Sequence, residues 1–334
     1  MENKNISVGL IVGGASPERE VSKLSGAGVF NALNKLNYKV KIIDPALGLN
    51  QHSNNEDYFI EKDTLPISSE NYLKTINSSL FDGIDTVFIA LHGSWGEDGT
   101  MQSLLEFRGI HYTGSGILAS AVSMDKAITK SILKHNGVST PNWLTIEKKN
   151  FSLIELLNQV EEQFKFPIVI KPNDQGSAIG LSICKEVSEF EKACMSAFQY
   201  SDKILIEEYI DGHEVTVGIL NDECFPVVEI KPKHDYYDYE CKYTKGMSEY
   251  EVPEKLDEDV TKKIQEEALK AYKSINCKNY GRIDFRLNNK LESFCLEINT
   301  LPGLTSTSLL PKAAKAVGIS FEELIDRIIK NSFE

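Results

Sequence analysis

The sequence predicts an α/β protein of three lobes: an open parallel sheet over residues 1–122, then two α+β units over 123–212 and 213–334. Three observations carry this. Strand-like and helix-like segments alternate through the first lobe, the pattern of a parallel sheet covered on both faces. After a short helical stretch, Gly137-Val138-Ser139-Thr140-Pro141 breaks the chain as a domain hinge does. Near the end, Arg282-Ile283-Asp284-Phe285 and Cys295-Leu296-Glu297-Ile298-Asn299 alternate apolar and polar residues across the polar turn Asn288-Asn289-Lys290. That is the mark of an antiparallel hairpin.

In chain order, residues 6–12 read as a strand and 17–37 as a helix with Val21, Leu24, Val29, Leu33 and Leu36 on its apolar side. Residues 40–43 form a second strand. Residues 46–80 are polar and weakly patterned, and a variable stretch is expected there. Residues 86–91 are a buried strand, followed by a Gly-rich turn and a short helix through Phe107. The second lobe opens on a helix at 126–135 and continues as strand 166–171, helix 188–200 and strand 203–209. From Glu214 come two strands, a long charged loop, a helix at 257–276 and the hairpin. Helices at 309–316 and 321–329 close the chain.

A chain of 334 residues suffices for two or three packed units. Its 41% hydrophobic and 25% charged content is that of an ordinary soluble protein. The net charge of −13, with no Lys/Arg run, argues against a nucleic-acid partner. Residues 1–5 lack the apolar core of a signal peptide, and no apolar run approaches the ~20 residues of a membrane span. The six cysteines are scattered without CxxC spacing and read as reduced thiols of a cytoplasmic protein.

With a period of two, Arg282 and Asp284 share one face of their strand, and Glu297 and Asn299 one face of theirs. Two carboxylates and an amide oxygen converging there make an oxygen-only cluster, the kind Mg2+ takes on nucleotide phosphates. The competing reading is a surface hairpin with salt bridges to Arg282 and Arg286. In the segment 171–180, KPNDQGSAIG, Gly176 and Gly180 would let backbone N–H groups approach an anion, with Ser177 adding a hydroxyl. Neither a Walker A ending nor a GxGxxG fingerprint is present, and an ordinary β-hairpin explains the segment equally well. Lys126 and Lys171 fit cations for α- and β-phosphates, or are simply solvated. Glu207-Glu208-Tyr209-Ile210, with Glu214 beyond, could serve an adenine edge and a ribose diol, or be surface acids at a strand end.

In the first lobe, the loops after the strands at 6–12 and 86–91 should open on one side, where open α/β sheets bind ligands. Glu18 and His92 are then neighbours at a ligand, unless His92 is a structural hydrogen-bonding residue.

Together these blocks resemble the D-alanine–D-alanine ligases of the ATP-grasp superfamily, over nearly the whole chain except mainly 46–80. The resemblance runs through Gly13-Gly14-x-Ser16-x-Glu18-Arg19-Glu20-Val21-Ser22, HGSWGEDG, YTGSG, SMDK, the flap KPNDQGSAIG, YDYECKY, GRIDF and EINTLPGLTSTSLLP, all in the family's order. It implies an ATP-grasp architecture in which the second and third lobes sandwich ATP. The implied reaction ligates two D-alanines through a D-alanyl phosphate, for peptidoglycan precursor synthesis.

By the same resemblance, Lys126, Lys171, Ser177 and the flap backbone contact ATP phosphates. Glu207 and the backbone of Glu208 and Ile210 meet adenine, Glu214 meets ribose, and Leu296 and Lys242 complete the ATP contacts. Asp284, Glu297 and Asn299 correspond to ligands of two Mg2+ ions, with Mn2+ able to substitute. Glu18, aided by His92, would hold the ammonium of the first D-alanine. Ser308 and Leu309 would hold the carboxylate of the second, and Arg282 would face the developing oxyanion. Lys242 and Tyr243 fall on the loop 235–249, the implied lid, where Tyr243 would join Ser177 and Glu18 in a hydrogen-bonded trio.

A homodimer is implied as well. Ala178 stands where many relatives have a second Ser, which would slightly weaken phosphate contact. Glu208 stands where some have Lys, at a contact made through backbone. The alternatives are a ligase for D-Ala-D-Ser or D-Ala-D-lactate and a non-catalytic ATP-binding regulator. An NAD-dependent dehydrogenase lacks its fingerprint here.

Overall fold

Four short strands, Ser7–Ile11 (β1), Lys39–Ile43 (β2), Thr86–Ile89 (β3) and His111–Tyr112 (β4), pair in parallel in the order β2-β1-β3-β4. Val8, Leu10 and Ile11 are completely buried, as a strand covered on both faces requires. Helix Arg19–Lys35 (α1) follows β1, and Asn71–Ile76 (α2) and Thr100–Arg108 (α3) complete the lobe. The computed structural model describes residues 3–234, 246–252, 255–305 and 307–333. Lys242, Tyr243 and most of the loop 235–249 lie outside the described residues.

Residues 46–80 hold more order than their composition announces. They contain α2, bury Tyr58, Tyr72 and Ile76, and supply Asp63, which takes Arg19 in an ion pair of 2.7 Å. Tyr72 accepts a hydrogen bond from the Ala15 N–H at 3.1 Å. This stretch therefore braces the loop that carries Glu18.

Ile117–Met124 (α4) precedes Lys126–His135 (α5), the latter capped by Asp125, whose Oδ1 accepts from Ile128 N at 2.9 Å. Next come Trp143–Glu147 (β5), Leu153–Gln163 (α6), Ile168–Pro172 (β6), Ser182–Cys184 (β7), Phe190–Ala197 (α7) and Lys203–Glu208 (β8). Their sheet is antiparallel, in the order β5-β8-β6-β7.

The last lobe has Gly212–Leu220 (β9), Glu223–Cys224 (β10), Val228–Pro232 (β11), Ser248–Glu251 (β12), Tyr280–Asn288 (β13) and Ser293–Asn299 (β14). Its helices are Glu258–Ser274 (α8), Leu309–Ala316 (α9) and Phe321–Asn331 (α10). The main path of its sheet is β12-β11-β9-β13-β14, so β13 lies between two neighbours and is no surface hairpin.

Three hydrophobic cores hold these sheets. The first joins Leu10 and Phe88 to Leu310 and Ile325, so α9 and α10 pack onto the N-terminal sheet. Tyr38 seals that seam by donating to Asp326 at 2.7 Å. The second unites Leu133 of α5 with Ile283, Phe285 and Cys295 of the hairpin. The third, around Val160, Phe190 and Ile206, belongs to the central sheet alone. Among the described residues, no helix is long and apolar enough to cross a membrane.

Candidate active site

Asp284 pairs with Glu297, and Arg282 with Asn299, as direct cross-strand partners on β13 and β14. The strand parity thus brings all four side chains to one face. Just beyond, Phe285 pairs with Cys295, which leaves Leu296 as the extra residue of a β-bulge. A bulge re-aims side chains, and Leu296 and Glu297, though adjacent, line the same cleft.

Asp284 is the hub of the face. Its Oδ1 accepts from Thr216 Oγ1 at 2.6 Å and Arg282 Nε at 2.8 Å; its Oδ2 accepts from Arg282 Nη2 at 2.8 Å and Asn299 Nδ2 at 3.0 Å. The donor set of two carboxylates and an amide is oxygen-rich and suits a hard divalent cation. Among the described residues no group of three or more His, Cys, Asp or Glu side chains is placed to hold a metal. A cation bound here would draw further oxygens from water or a phosphate ligand.

A cleft between the central and C-terminal sheets lies over this face. Lys126, Lys171, Glu207, Glu208, Ile210 and Glu214 line it, together with Leu296 and Glu297. Lys171, in β6, pairs with Glu207 Oε1 at 2.6 Å. Lys126, the first residue of α5, donates to the Gln175 carbonyl at 2.5 Å. Burial lowers the Lys126 pKa, and the charge of Glu297 opposes that shift. Burial alone would raise the Glu207 carboxyl, but Lys130 and then Lys171 outweigh it and hold Glu207 at about 2.

The Glu208 carboxylate turns to the Asn142 N–H at 2.9 Å. Arg286 braces the next turn: its Nε donates to Ile210 O at 3.0 Å, its Nη2 to Gly212 O at 3.1 Å, and its Nη1 lies 3.6 Å from Glu214. Sequence reading treats Arg286 only as a surface ion-pair partner.

The flap is the loop of the β6–β7 hairpin, as the hairpin reading of that segment expects. Ser177 and Ala178 adopt φ of 53° and 57°, a left-handed conformation uncommon outside glycine. Ser177 Oγ donates to Glu18 Oε2 at 2.9 Å. A Cβ at Gly176 would sit 2.8 Å from Glu18 Oε1. Glycine is needed there because a carboxylate approaches so closely.

Beyond the flap, a second cavity, rich in polar side chains, is lined by Glu18, His92, Ser177, Arg282, Glu297 and Asn299, and also by Ser308 and Leu309. Glu297 lines both spaces. His92 is fixed on both ring nitrogens, Nδ1 to Glu97 and Nε2 to Ser25, each at 3.0 Å. Burial raises the Glu97 pKa, and His92 counters it. Ser308 directly precedes α9, its Oγ accepting from Thr305 N at 3.1 Å.

Sequence reading misses Lys130, Thr216, Ser25 and Glu97. Only Glu97 carried a signal, five residues after His92 in the same Gly-rich block.

The family profile described as D-ala D-ala ligase N-terminus matches residues 7–115, and that described as D-ala D-ala ligase C-terminus matches 132–330. The D-alanine–D-alanine ligase of Aquifex aeolicus is 43% identical over 320 residues, covering 96% of this chain and 98% of the relative. That of Carboxydothermus hydrogenoformans is 40% identical, covering 98% and 99%.

Among solved structures, the Bacillus anthracis D-alanine–D-alanine ligase complexed with ATP superposes with a TM-score of 0.78 at 31% identity, covering 98% of this chain and 97% of that one. The VanG D-Ala:D-Ser ligase of Enterococcus faecalis gives 0.83 at 29%, covering 98% and 99%. With both of its halves matched and near-complete coverage of its relatives, the chain belongs to the D-alanine–D-alanine ligase family.

Proposed function

We propose that the protein joins two D-alanines into D-alanyl-D-alanine for peptidoglycan precursor synthesis, converting ATP to ADP and phosphate. The observation that carries this reading is Glu297, common to a cleft with buried lysines and the second cavity with Glu18 and Arg282. A nucleotide in the first space and an amino acid in the second would meet at that residue.

In the proposed reaction, the carboxylate of the first D-alanine attacks the γ-phosphorus and the bond to ADP breaks. The amine of the second then attacks the acyl carbon of the D-alanyl phosphate, loses a proton, and phosphate leaves. Lys126 and Lys171 offset charge on the phosphates. The backbone of Glu208 and Ile210, with Glu207, receives adenine, Leu296 walls it, and Glu214 takes ribose. Glu18, beside His92, holds the first ammonium. Ser308 and Leu309, at the start of α9, hold the second carboxylate, where a helix N-terminus favours an anion. Arg282 donates to the developing oxyanion.

Asp284, Glu297 and Asn299 would hold two Mg2+ ions, with Mn2+ able to substitute, and these would neutralise charge on the transferring phosphoryl group. The Ser177–Glu18 bond draws the flap over the amino acid and keeps water from the acyl phosphate. Lys242, Tyr243 and the loop 235–249 are proposed as the rest of that cover. We further propose a cytoplasmic homodimer whose lobes divide at 122/123 and 212/213.

A D-Ala-D-Ser ligase is the second reading, favoured by the likeness to VanG. Identities of 40% and 43% to D-alanine–D-alanine ligases favour the first. Phosphate release from ATP with D-alanine alone, compared with D-alanine plus D-serine or D-lactate, tests the choice. The proposal expects D-alanyl-D-alanine as main product in every mixture. A predominantly mixed product would overturn the acceptor assignment, and no D-alanine-dependent phosphate release would overturn the ligase.

A further inference from the structure

Lys130, one helical turn beyond Lys126 on α5, is completely buried. Its ammonium donates to Thr140 Oγ1 at 2.7 Å and to the Pro141 carbonyl at 3.0 Å, and forms an ion pair with Glu207 Oε2 at 2.9 Å. Buried among these groups, the ammonium does not line the cleft itself. The other oxygen of Glu207 takes Lys171 at 2.6 Å. One carboxylate is thus shared by two ammonium groups, and the trio carries a net positive charge. Without Lys130, Glu207 and Lys171 would form a neutral pair, and Lys171 would offer little charge to an anion in the cleft.

The same residue ties the cleft walls together. Thr140 Oγ1 donates onward to the Cys295 carbonyl at 2.8 Å, and Cys295 N donates to Ser139 O at 2.8 Å. Cys295 immediately precedes Leu296 and Glu297 on β14, while Glu207 and Lys171 belong to β8 and β6.

We infer that Lys130 is a positioning residue for the nucleotide: it neutralises Glu207 so that Lys171 keeps its charge for phosphate, and it sets the spacing of the two walls. The inference rests on the nucleotide reading of this cleft.

The test is calorimetric titration of MgATP and of adenosine into the full-length wild type, Lys130→Met and Lys130→Gln, with the KM for D-alanine measured alongside. Lys130→Met and Lys130→Gln each weaken MgATP by about tenfold or more, as loss of one partner of a buried charge pair does, while adenosine, which carries no phosphate, loses far less and the KM for D-alanine stays unchanged. A purely structural role lowers the affinity of both ligands alike. Wild-type MgATP affinity in both variants, or equal losses for MgATP and adenosine, would overturn the inference. A wild type that binds no MgATP would overturn the nucleotide reading of the cleft, and this inference with it.

Discussion

The hydroxyl of Ser177 donates to the carboxylate of Glu18 at 2.9 Å, joining the flap of the central sheet to the first loop of the N-terminal sheet. Residues far apart in the chain thereby form one edge of the cavity proposed for D-alanine. Ser177 stays in the left-handed region to make this contact, and the absent Cβ of Gly176 lets the carboxylate in.

Removing that hydroxyl should therefore act on the amino acid more than on the nucleotide. Ser177→Ala is expected to lower kcat/KM for D-alanine by about 10- to 100-fold, the worth of a hydrogen bond to a charged group. Steady-state kinetics at saturating ATP measures it. An unchanged kcat/KM would mean that the bond has no part in catalysis.

Arg282 grips Asp284 with two parallel hydrogen bonds of 2.8 Å, so its guanidinium is fixed before any ligand arrives. Lysine cannot reproduce that fork. Arg282→Lys should reduce kcat by about 100-fold or more, the loss typical of an oxyanion donor, with MgATP affinity little changed. A variant altered only in MgATP affinity would move Arg282 to the nucleotide side.

Glu207 gives a pH prediction whose sign is fixed by its neighbours. Its pKa falls from the ordinary 4.5 to about 2 in the folded protein. The stability it contributes is complete above the unfolded value and is lost as pH falls through the folded one. Urea unfolding of wild type and Glu207→Gln should show the wild-type advantage at pH 7 shrinking below about pH 4.5 and gone below about pH 2. A difference independent of pH would contradict the buried charge pairing.

These predictions draw unequally on what the sequence made readable. The Asp284–Glu297 pairing was legible because β13 and β14 alternate strictly up to that point. The bulge at Leu296 was not, since one extra apolar residue between Cys295 and Glu297 leaves the local pattern of a strand intact. The small residues and serines of α4 hide its periodicity. By contrast α6 carries helical spacing in Leu153, Leu156, Leu157 and Val160, a signal present but unassigned. Strand β5 runs along an edge of its sheet and is half-buried; Leu144 and Ile146 alternate with Thr145 and Glu147, but over too short a run to stand out. Lys130 could not be found locally at all, because its carboxylate partner lies on β8, beyond three intervening strands and two α-helices.

The most direct test of the account is D-alanine-dependent phosphate release from ATP by wild type and Glu297→Ala, with melting curves for both. Glu297 lines the cleft and the cavity alike and pairs with Asp284, so one substitution strikes the proposed junction of nucleotide, cation and amino acid. The account predicts brisk release by the wild type and near-abolition in the variant, with the melting transition preserved. A folded Glu297→Ala protein that ligates D-alanine at the wild-type rate would contradict it.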